Sequence, residues 1–282
     1  MKNPKETIMR LLFLLTACVS IIAVILICLF LFAGGLPALG KIGVINFLTG
    51  LQWRPGNDVY GILPMIVGSL YVTAGALVVG VPIGIFTAVF MARFCPKWLY
   101  RLLRPAVNLM AGVPSVVFGF FGLVVLVPLI RNSFGGRGMS VLAASILLGL
   151  MILPTIISVS ETSLRAVPES YYEGALALGA THERSVFRVI LPAAKRGVFS
   201  GVVLGVGRAV GETMAVMMIA GNQPVIPGSL LDGVRTLTTN IVLEMGYAEG
   251  LHRQALIATA VVLFVFVLII NLSFSLLKRR GQ

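Results

Sequence analysis

Long runs of residues without charge constrain this chain more than any other feature of its sequence. Five of these runs cover residues 11–33, 62–92, 105–130, 138–160 and 254–277. A sixth, 197–221, contains only two charged residues, Arg208 and Glu212. A helix needs about 20 apolar residues to cross the hydrocarbon core of a bilayer, because it rises ~1.5 Å per residue. The sequence therefore predicts an all-α integral membrane protein with six transmembrane helices.

The composition agrees with this prediction and excludes several other classes of protein. Of the 282 residues, 58% are hydrophobic and 11% are charged, whereas a soluble domain has about 45–50% apolar and about 25% charged residues. This excludes a soluble globular enzyme, a disordered chain and a disulfide scaffold. The runs 62–92 and 105–130 are longer than one crossing needs, so we expect their ends to tilt or to lie in the membrane interface.

The basic residues predict how the chain is oriented. If the N-terminus is cytoplasmic, 15 of the 22 Lys and Arg residues fall in inside segments and 6 in outside segments, which follows the positive-inside rule. Both termini are then cytoplasmic. Because the orientation accounts for most of the basic residues behind the net charge of +12, no basic stripe is left that would bind a nucleic acid. The inside residues are Lys2, Lys5, Arg10, Arg93, Lys97, Arg101, Arg104, Arg165, Arg184, Arg188, Lys195, Arg196, Lys278, Arg279 and Arg280.

The longest inside loop, residues 161–196, has the pattern of two short helices joined by a turn. Pro168 suits the first position of a helix, and Gly179 suits the left-handed residue that ends one. Thr181 is typical of a helix N-cap, and Pro192 is expected to end or bend the second helix. We therefore expect this loop to be folded and held against the membrane.

The same loop resembles the EAA loop of ABC-importer permeases. The family pattern is E-A-A, then G after three residues, then I-x-L-P after nine more, and this sequence follows the spacing at every step. It departs from the pattern in two letters, Gly174 for Ala and Val189 for Ile. The resemblance implies the type I ABC importer permease fold and a loop that docks on a cytoplasmic ATPase; an ordinary amphipathic loop is the alternative. The ATPase-coupling residues would be Glu173, Gly174, Ala175, Gly179, Leu191 and Pro192.

Arg208 and Glu212 are the candidate residues of a substrate path. Arg208 lies about 16 Å along the span from Gly197, near the middle of the bilayer, where a charge costs about 2.5–3.5 kcal/mol. It is therefore expected to face the protein interior or an aqueous path, with Glu212 within reach one helical turn later. A guanidinium offers a planar set of donors to an oxyanion. The alternative is a buried ion pair that only locks helix packing.

Glycines at four-residue spacing predict close helix packing along the fifth span. Gly197, Gly201 and Gly205 form one series, and Gly207 and Gly211 form another. Small residues at this interval let a second helix approach closely. The sequence leaves open whether that helix belongs to this chain or to a partner subunit.

The segment Arg-Ala-Val-Gly-Glu-Thr-Met-Ala-Val, which begins at Arg208, resembles the fifth-span signature of permeases of the Pst phosphate-uptake system. Phe-Leu-Thr-Gly at 47–50 and Trp-Arg-Pro at 53–55 favour the C type of these permeases. The resemblance implies a bacterial inner-membrane protein with a path for the phosphate ion that includes Arg208, Glu212 and Thr213. It also implies three kinds of partner: a sister permease of the A type in a heterodimer, two cytoplasmic ATPase subunits, and a periplasmic phosphate-binding protein.

This resemblance also divides the chain into two parts. Residues 1–61 would hold the first helix and an outside loop, and residues 62–282 the importer transmembrane domain of five helices with its coupling loop at 161–196. The outside segments 34–61 and 222–253 would receive the binding protein or, equally well, form interfacial helices that seal the channel mouth. Candidate contacts with the binding protein are Asp232, Arg235, Glu244 and Glu249.

The sequence contains no nucleotide-binding or catalytic motif. Without a G-x-x-x-x-G-K-[ST] segment, we expect a non-catalytic subunit that carries no cofactor and a partner that binds ATP. No Cys/His cluster has the spacing of metal ligands. Two alternatives remain: an ABC permease for sulfate or molybdate, which would use the same arginine, and an ion-coupled secondary anion transporter. Secondary transporters usually contain inverted repeats, and none is visible in this sequence.

Overall fold

A computed structural model describes the backbone of residues 4–280 and the side chains of residues 6, 8–273 and 276. Lys2, Lys5, Lys278, Arg279 and Arg280, which contribute to the predicted orientation, lie outside the described side chains. Helices are α1 (Pro4–Ile42), α2 (Val44–Thr49), α3 (Leu63–Val89), α4 (Lys97–Gly112), α5 (Ser115–Phe121), α6 (Val127–Phe134), α7 (Val141–Arg165), α8 (Glu169–Ala177), α9 (His182–Ser185), α10 (Leu191–Ala193), α11 (Lys195–Gly211), α12 (Met214–Ile219), α13 (Leu237–Glu244) and α14 (Gly250–Arg280). A hairpin joins β1 (Trp53–Arg54) to β2 (Val59–Tyr60), and π-helical turns follow α3, α5 and α9.

Five helical stretches of the described chain are long and apolar enough to cross a membrane. They are Ile8–Ile42, Leu63–Phe94, Ser115–Phe134, Val141–Arg165 and Gly250–Ser273. A sixth candidate is the pair His182–Ala193 and Lys195–Gly211, which is bent by 68°. With this pair the described chain has up to six candidate spans, the number predicted, and the all-α membrane fold is confirmed.

Helix α7 forms the centre of the bundle, between α3 and α11. Its residues Met151, Ile152 and Ile156 are 1%, 0% and 0% exposed. Glycines of α3 allow the close approach: a Cβ atom at Gly80 would lie 2.8 Å from the carbonyl oxygen of Gly149 on α7. Such small residues favour close packing of membrane helices, where van der Waals contact is the main attraction.

Helix α1 lies at the edge of the bundle and contacts mainly α14. At this contact, a Cβ atom on Gly35 would lie 3.0 Å from the Cα atom of Ala258, and the rings of Phe32 and Phe264 meet edge to face at 6.3 Å. The apolar side chains of the first half of α1 are exposed in this chain. Because so much apolar surface needs cover, the arrangement requires a bilayer or a further membrane subunit.

The third apolar run, 105–130, is divided between two helices; because it is longer than one crossing, we expect its ends to tilt or to lie in the membrane interface. Its first part belongs to α4, and the span begins only at Ser115. Val113, between the two helices, is extended, with φ −69° and ψ 127°. The ring of Pro114 explains this conformation, because a proline disfavours the helical region for the residue that precedes it.

Candidate substrate path and coupling segment

The fifth span breaks at Glu212. Helix α11 ends at Gly211, Glu212 is extended with ψ 129°, and α12 begins at Met214. The Glu212 carboxylate turns toward the second helix, where its Oε1 atom accepts hydrogen bonds from the backbone N–H groups of Thr213, at 3.1 Å, and Ala215, at 3.3 Å. Glu212 therefore supplies an acceptor for N–H groups that a helix start leaves without intrahelical partners.

Arg208 lies one turn before this break and is half-buried. Its Nη1 atom donates to the Oγ1 atom of Thr155 on α7 at 3.4 Å. Within the described residues no carboxylate forms an ion pair with Arg208. The expectation that Glu212 pairs with Arg208 one helical turn later is therefore wrong for this structure, because the helix ends between the two residues.

The non-helical backbone of the break is satisfied by side chains. Thr238 Oγ1 donates to the carbonyl oxygen of Glu212 at 3.2 Å, and Thr213 Oγ1 donates to that of Gly211 at 3.2 Å. Irregular backbone at membrane depth is tolerated only where it is buried in protein or lines a water-filled cavity. The three predicted path residues, Arg208, Glu212 and Thr213, thus lie together at the break.

The two glycine series of α11 lie in different surroundings. Gly201 and Gly205 pack on α7 of the same chain: a Cβ atom at Gly201 would lie 3.1 Å from Ser160 Oγ, and one at Gly205 would lie 3.0 Å from Ile156. A Cβ atom at Gly207 or Gly211 would meet no atom within 4 Å. The first series therefore serves packing within this chain, whereas the second lies on an open face.

The segment between α7 and α11 has the predicted helix, turn and helix. Gly179 follows α8 with φ +83°, a left-handed conformation that suits glycine. The Thr181 hydroxyl accepts the N–H of Arg184 at 3.3 Å and caps α9. Pro168 precedes α8 as its cap residue, one position earlier than expected, because its ψ of 137° is outside the helical range. The 68° bend that follows Ala193 agrees with the break expected from Pro192.

This coupling segment (Glu169–Ala193) is fixed to one end of the bundle. Val186 and Ile190 are fully buried against residues of α3 and α7, including Ala88 and Leu164. The Arg93 guanidinium, just after α3, forms an ion pair with Glu169 at 3.0 Å. The segment is therefore packed on the ends of the central helices.

The predicted coupling residues differ in exposure. Glu173, Gly174 and Gly179 are exposed, and the side chain of Leu178 is 91% exposed. The other three, Ala175, Leu191 and Pro192, are buried, half-buried and exposed, respectively. Glu173, Gly174, Leu178 and Gly179 thus present a continuous edge that a partner is able to contact.

Comparison with known proteins identifies the family. The sequence profile described as "Binding-protein-dependent transport system inner membrane component" matches residues 80–281. The chain belongs to this family. The probable ABC transporter permease protein YqgH of Bacillus subtilis is 42% identical over 92% of this chain and 88% of its own length. The phosphate transport system permease protein PstC of Mesorhizobium japonicum is 35% identical over 85% of this chain and 80% of its own.

Solved structures agree on the fold. A bacterial ABC transporter involved in the import of alginate has a chain with a TM-score of 0.69 and 17% identity, and the match covers 98% of both chains. The MetNI methionine ABC transporter matches with a TM-score of 0.62 and 22% identity, over 82% of this chain and 100% of the other. The type I ABC importer fold is therefore confirmed for this multi-pass membrane protein.

This inner-membrane component also contains a buried charged cluster that the sequence did not reveal. Glu161 on α7 is 1% exposed and accepts hydrogen bonds from Tyr100 Oη at 2.8 Å, Arg104 Nη1 at 2.5 Å and Arg165 Nε at 2.8 Å. Burial raises the pKa of Tyr100, and its hydrogen bond to the Glu161 carboxylate raises the pKa further. The cluster ties α4 to α7; the only local signal for it was the four-residue spacing of Glu161 and Arg165.

At the opposite end of the bundle, Glu244 links the segments 34–61 and 222–253, which the sequence predicts to lie outside. Its carboxylate accepts hydrogen bonds from Trp53 Nε1 at 2.8 Å and Arg235 Nη1 at 2.6 Å, and lies 2.8 Å from His252 Nε2. Glu244 is 7% exposed, so neither it nor Arg235 is a free contact for a binding protein as the sequence suggested. Of the proposed contacts, Asp232 and Glu249 remain exposed.

Proposed function

We propose that this chain forms the transmembrane path for inorganic phosphate in an ATP-driven importer, as a C-type permease of the Pst class. The observation that carries the proposal is a half-buried Arg208 at a break in a membrane helix, without a carboxylate partner among the described residues. Relatives of this chain named PstC phosphate permeases support the choice of phosphate.

Arg208 is proposed to bind the oxyanion directly. A guanidinium carries five N–H donors in a planar fork that matches an oxyanion, and only one contact, to Thr155, is made within the described chain. Because the Glu212 carboxylate accepts hydrogen bonds from the backbone at the start of α12, it does not compete with the anion for the Arg208 guanidinium. The hydroxyls of Thr155 and Thr213 are neutral groups beside the path that do not repel an anion.

The coupling segment is proposed to receive the movement of a separate ATPase that binds the ATP. Its exposed edge at Glu173, Gly174, Leu178 and Gly179 is the docking surface, and its buried face packs against α3 and α7. A push on the segment is therefore transmitted to the central helices and rocks them between outward-open and inward-open states.

The remaining partners follow from the same proposal. The open face at Gly207 and Gly211 suits contact with a sister permease of the A type, which would complete the path as a heterodimer. Two ATPase subunits then bind on the cytoplasmic side and a phosphate-binding protein on the periplasmic side. The chain lies in the bacterial inner membrane with both termini in the cytoplasm, and the importer domain spans residues 62–282.

The test is ATP hydrolysis by the purified complex. The complex is reconstituted with its binding protein loaded with phosphate, sulfate or molybdate in separate samples. We expect phosphate alone to stimulate hydrolysis; stimulation only by another oxyanion would contradict the choice of substrate. Uptake is also expected to continue when an ionophore dissipates the proton gradient while ATP is maintained. Uptake that collapses with the gradient would favour an ion-coupled secondary transporter instead.

A further inference from the structure

Helix α4 presents three different faces. One face, with Tyr100, Arg104 and Val107, packs on α7 through the Glu161 cluster and through the apolar contacts of the buried Val107 with Leu153 and Ile157. A second face is apolar and exposed: Trp98, Leu102 and Leu109 have exposed fractions of 69%, 65% and 72%. The third face is polar and exposed, with Lys97, Arg101 and Asn108. Residues three and four positions apart share one side of a helix, which generates these faces.

The position of α4 places it along a membrane surface. It connects the spans Leu63–Phe94 and Ser115–Phe134, and its 16 residues correspond to about 24 Å of helix. It contains Lys97, Arg101 and Arg104, so a transmembrane position is excluded by charge as well as by length. A helix with one apolar and one basic face lies in the interface between headgroups and acyl chains.

Two of its basic residues have no protein partner in the described part of the chain. Arg104 binds Glu161, whereas Lys97 and Arg101 form no ion pair there. Both are exposed beside Trp98, a residue type enriched at the membrane interface. The juxtaposition of unpaired cations with an exposed aromatic and aliphatic face matches an anionic amphiphile rather than a free ion.

We propose that α4 binds anionic phospholipid headgroups through Lys97 and Arg101, with Trp98 and Leu102 in contact with the acyl chains. The lipid belongs to the leaflet on the side of the coupling segment, because α4 and that segment lie at the same end of α7. The Glu161 cluster fixes the rotation of α4, since Tyr100 and Arg104 are held on α7 while Trp98 and Leu102 stay exposed. The site is separate from Arg208 and does not depend on the transported substrate.

The fluorescence of Trp98 tests the proposal directly. The chain has 2 tryptophans, and the other, Trp53, is buried in the outside hairpin. The full chain is reconstituted in phosphatidylcholine vesicles that contain increasing fractions of brominated phosphatidylglycerol or brominated phosphatidylcholine, which quench tryptophan on contact. We expect half-maximal quenching at a several-fold lower fraction of the anionic lipid. The Trp98→Phe variant is expected to lose this preferential quenching.

The charge-removing variants decide the result. Lys97→Gln with Arg101→Gln is expected to abolish the several-fold preference for phosphatidylglycerol, because each basic residue near an anionic surface contributes up to about fivefold. The matched control Lys195→Gln with Arg196→Gln, two exposed residues at the start of α11, should retain the preference, and inorganic phosphate should not compete. The proposal would be overturned by equal quenching by the two lipids or by displacement by phosphate. It would also be overturned if the preference persisted in Trp98→Phe or in the α4 variant, or if the control lost the preference. Phosphate uptake is not measured in this experiment, so a negative result for lipid binding would not contradict the proposed function.

Discussion

Arg208 and Glu212 lie four residues apart and do not pair, because the helix that carries Arg208 ends at Gly211 and Glu212 binds the start of the next helix. The separation assigns them different tasks. Glu212 accepts hydrogen bonds from backbone N–H groups at the break, whereas the Arg208 guanidinium, which donates to Thr155, is the group proposed to bind the anion. The candidate substrate path and the coupling segment then lie at opposite ends of α11.

Substitution of Glu212 separates a capping role from a charge role. Glu212→Gln keeps a carbonyl oxygen for the N–H groups of Thr213 and Ala215, so we expect near-normal amounts of folded protein and substantial uptake. Glu212→Ala removes the acceptor and should cost about 1 kcal/mol of stability. Thermal unfolding in detergent and phosphate uptake measure the two effects. Equal loss of uptake in both variants, without loss of stability, would show that the carboxylate charge is what matters.

The two glycine series predict opposite effects of a large side chain. Gly205→Leu places atoms against Ile156 and should lower the stability of the isolated chain by about 1–3 kcal/mol through overpacking. Gly207→Leu meets open space and should leave the stability of the isolated chain unchanged, while it weakens assembly with the sister permease. Thermal unfolding and co-purification separate the outcomes. Destabilisation of the isolated chain by Gly207→Leu would contradict the open face.

Gly179 tests the docking edge of the coupling segment. Gly179→Asp adds a charge to an exposed turn and should abolish stimulation of ATP hydrolysis by the loaded binding protein, or release the ATPase. Gly136→Asp is the matched control, because Gly136 also has positive φ (+74°) and no atom within 4 Å of a built Cβ, yet lies in the loop between α6 and α7 at the other end of the bundle. Normal co-purification and stimulation in Gly179→Asp would exclude this edge as the docking surface.

The Glu161 cluster predicts a large effect from a small substitution. Glu161→Gln keeps the shape but leaves Arg104 and Arg165 without a counter-charge, so we expect a loss of about 2 kcal/mol in unfolding free energy. Both arginines are partly exposed, with side-chain exposures of 33% and 47%, which moderates the loss. Glu183→Gln, at an exposed position on α9, serves as the control. Unchanged thermal stability of Glu161→Gln would contradict a stabilising role for the cluster.

The transmembrane fold was predictable because most apolar runs correspond to a membrane crossing, although the run 105–130 does so only from Ser115 onward. The spacing of Gly179 and Pro192 likewise predicted the coupling segment, since turn and break residues act locally. The break at Glu212 was not predictable, because Gly-Glu-Thr within an apolar run fits a continuous helix and its extended backbone depends on contacts with α12 and Thr238. The different surroundings of Gly205 and Gly207 were not predictable either, because the two glycines look equivalent in sequence and only the packing of α7 distinguishes them. The Glu161 cluster left almost no local signal, because Tyr100 and Arg104 are both distant from Glu161 in the sequence.

The central claim is that Arg208 binds the transported anion, and the most direct measurement is uptake of radiolabelled phosphate by proteoliposomes that contain the whole complex and internal ATP. Arg208→Gln should insert and assemble normally, because Arg208 makes only one hydrogen bond, of 3.4 Å, with the described residues, and should show uptake at the background level. Arg131→Gln, an exposed arginine near the end of the third span, should transport like the wild type. Near-normal uptake by Arg208→Gln would contradict the account.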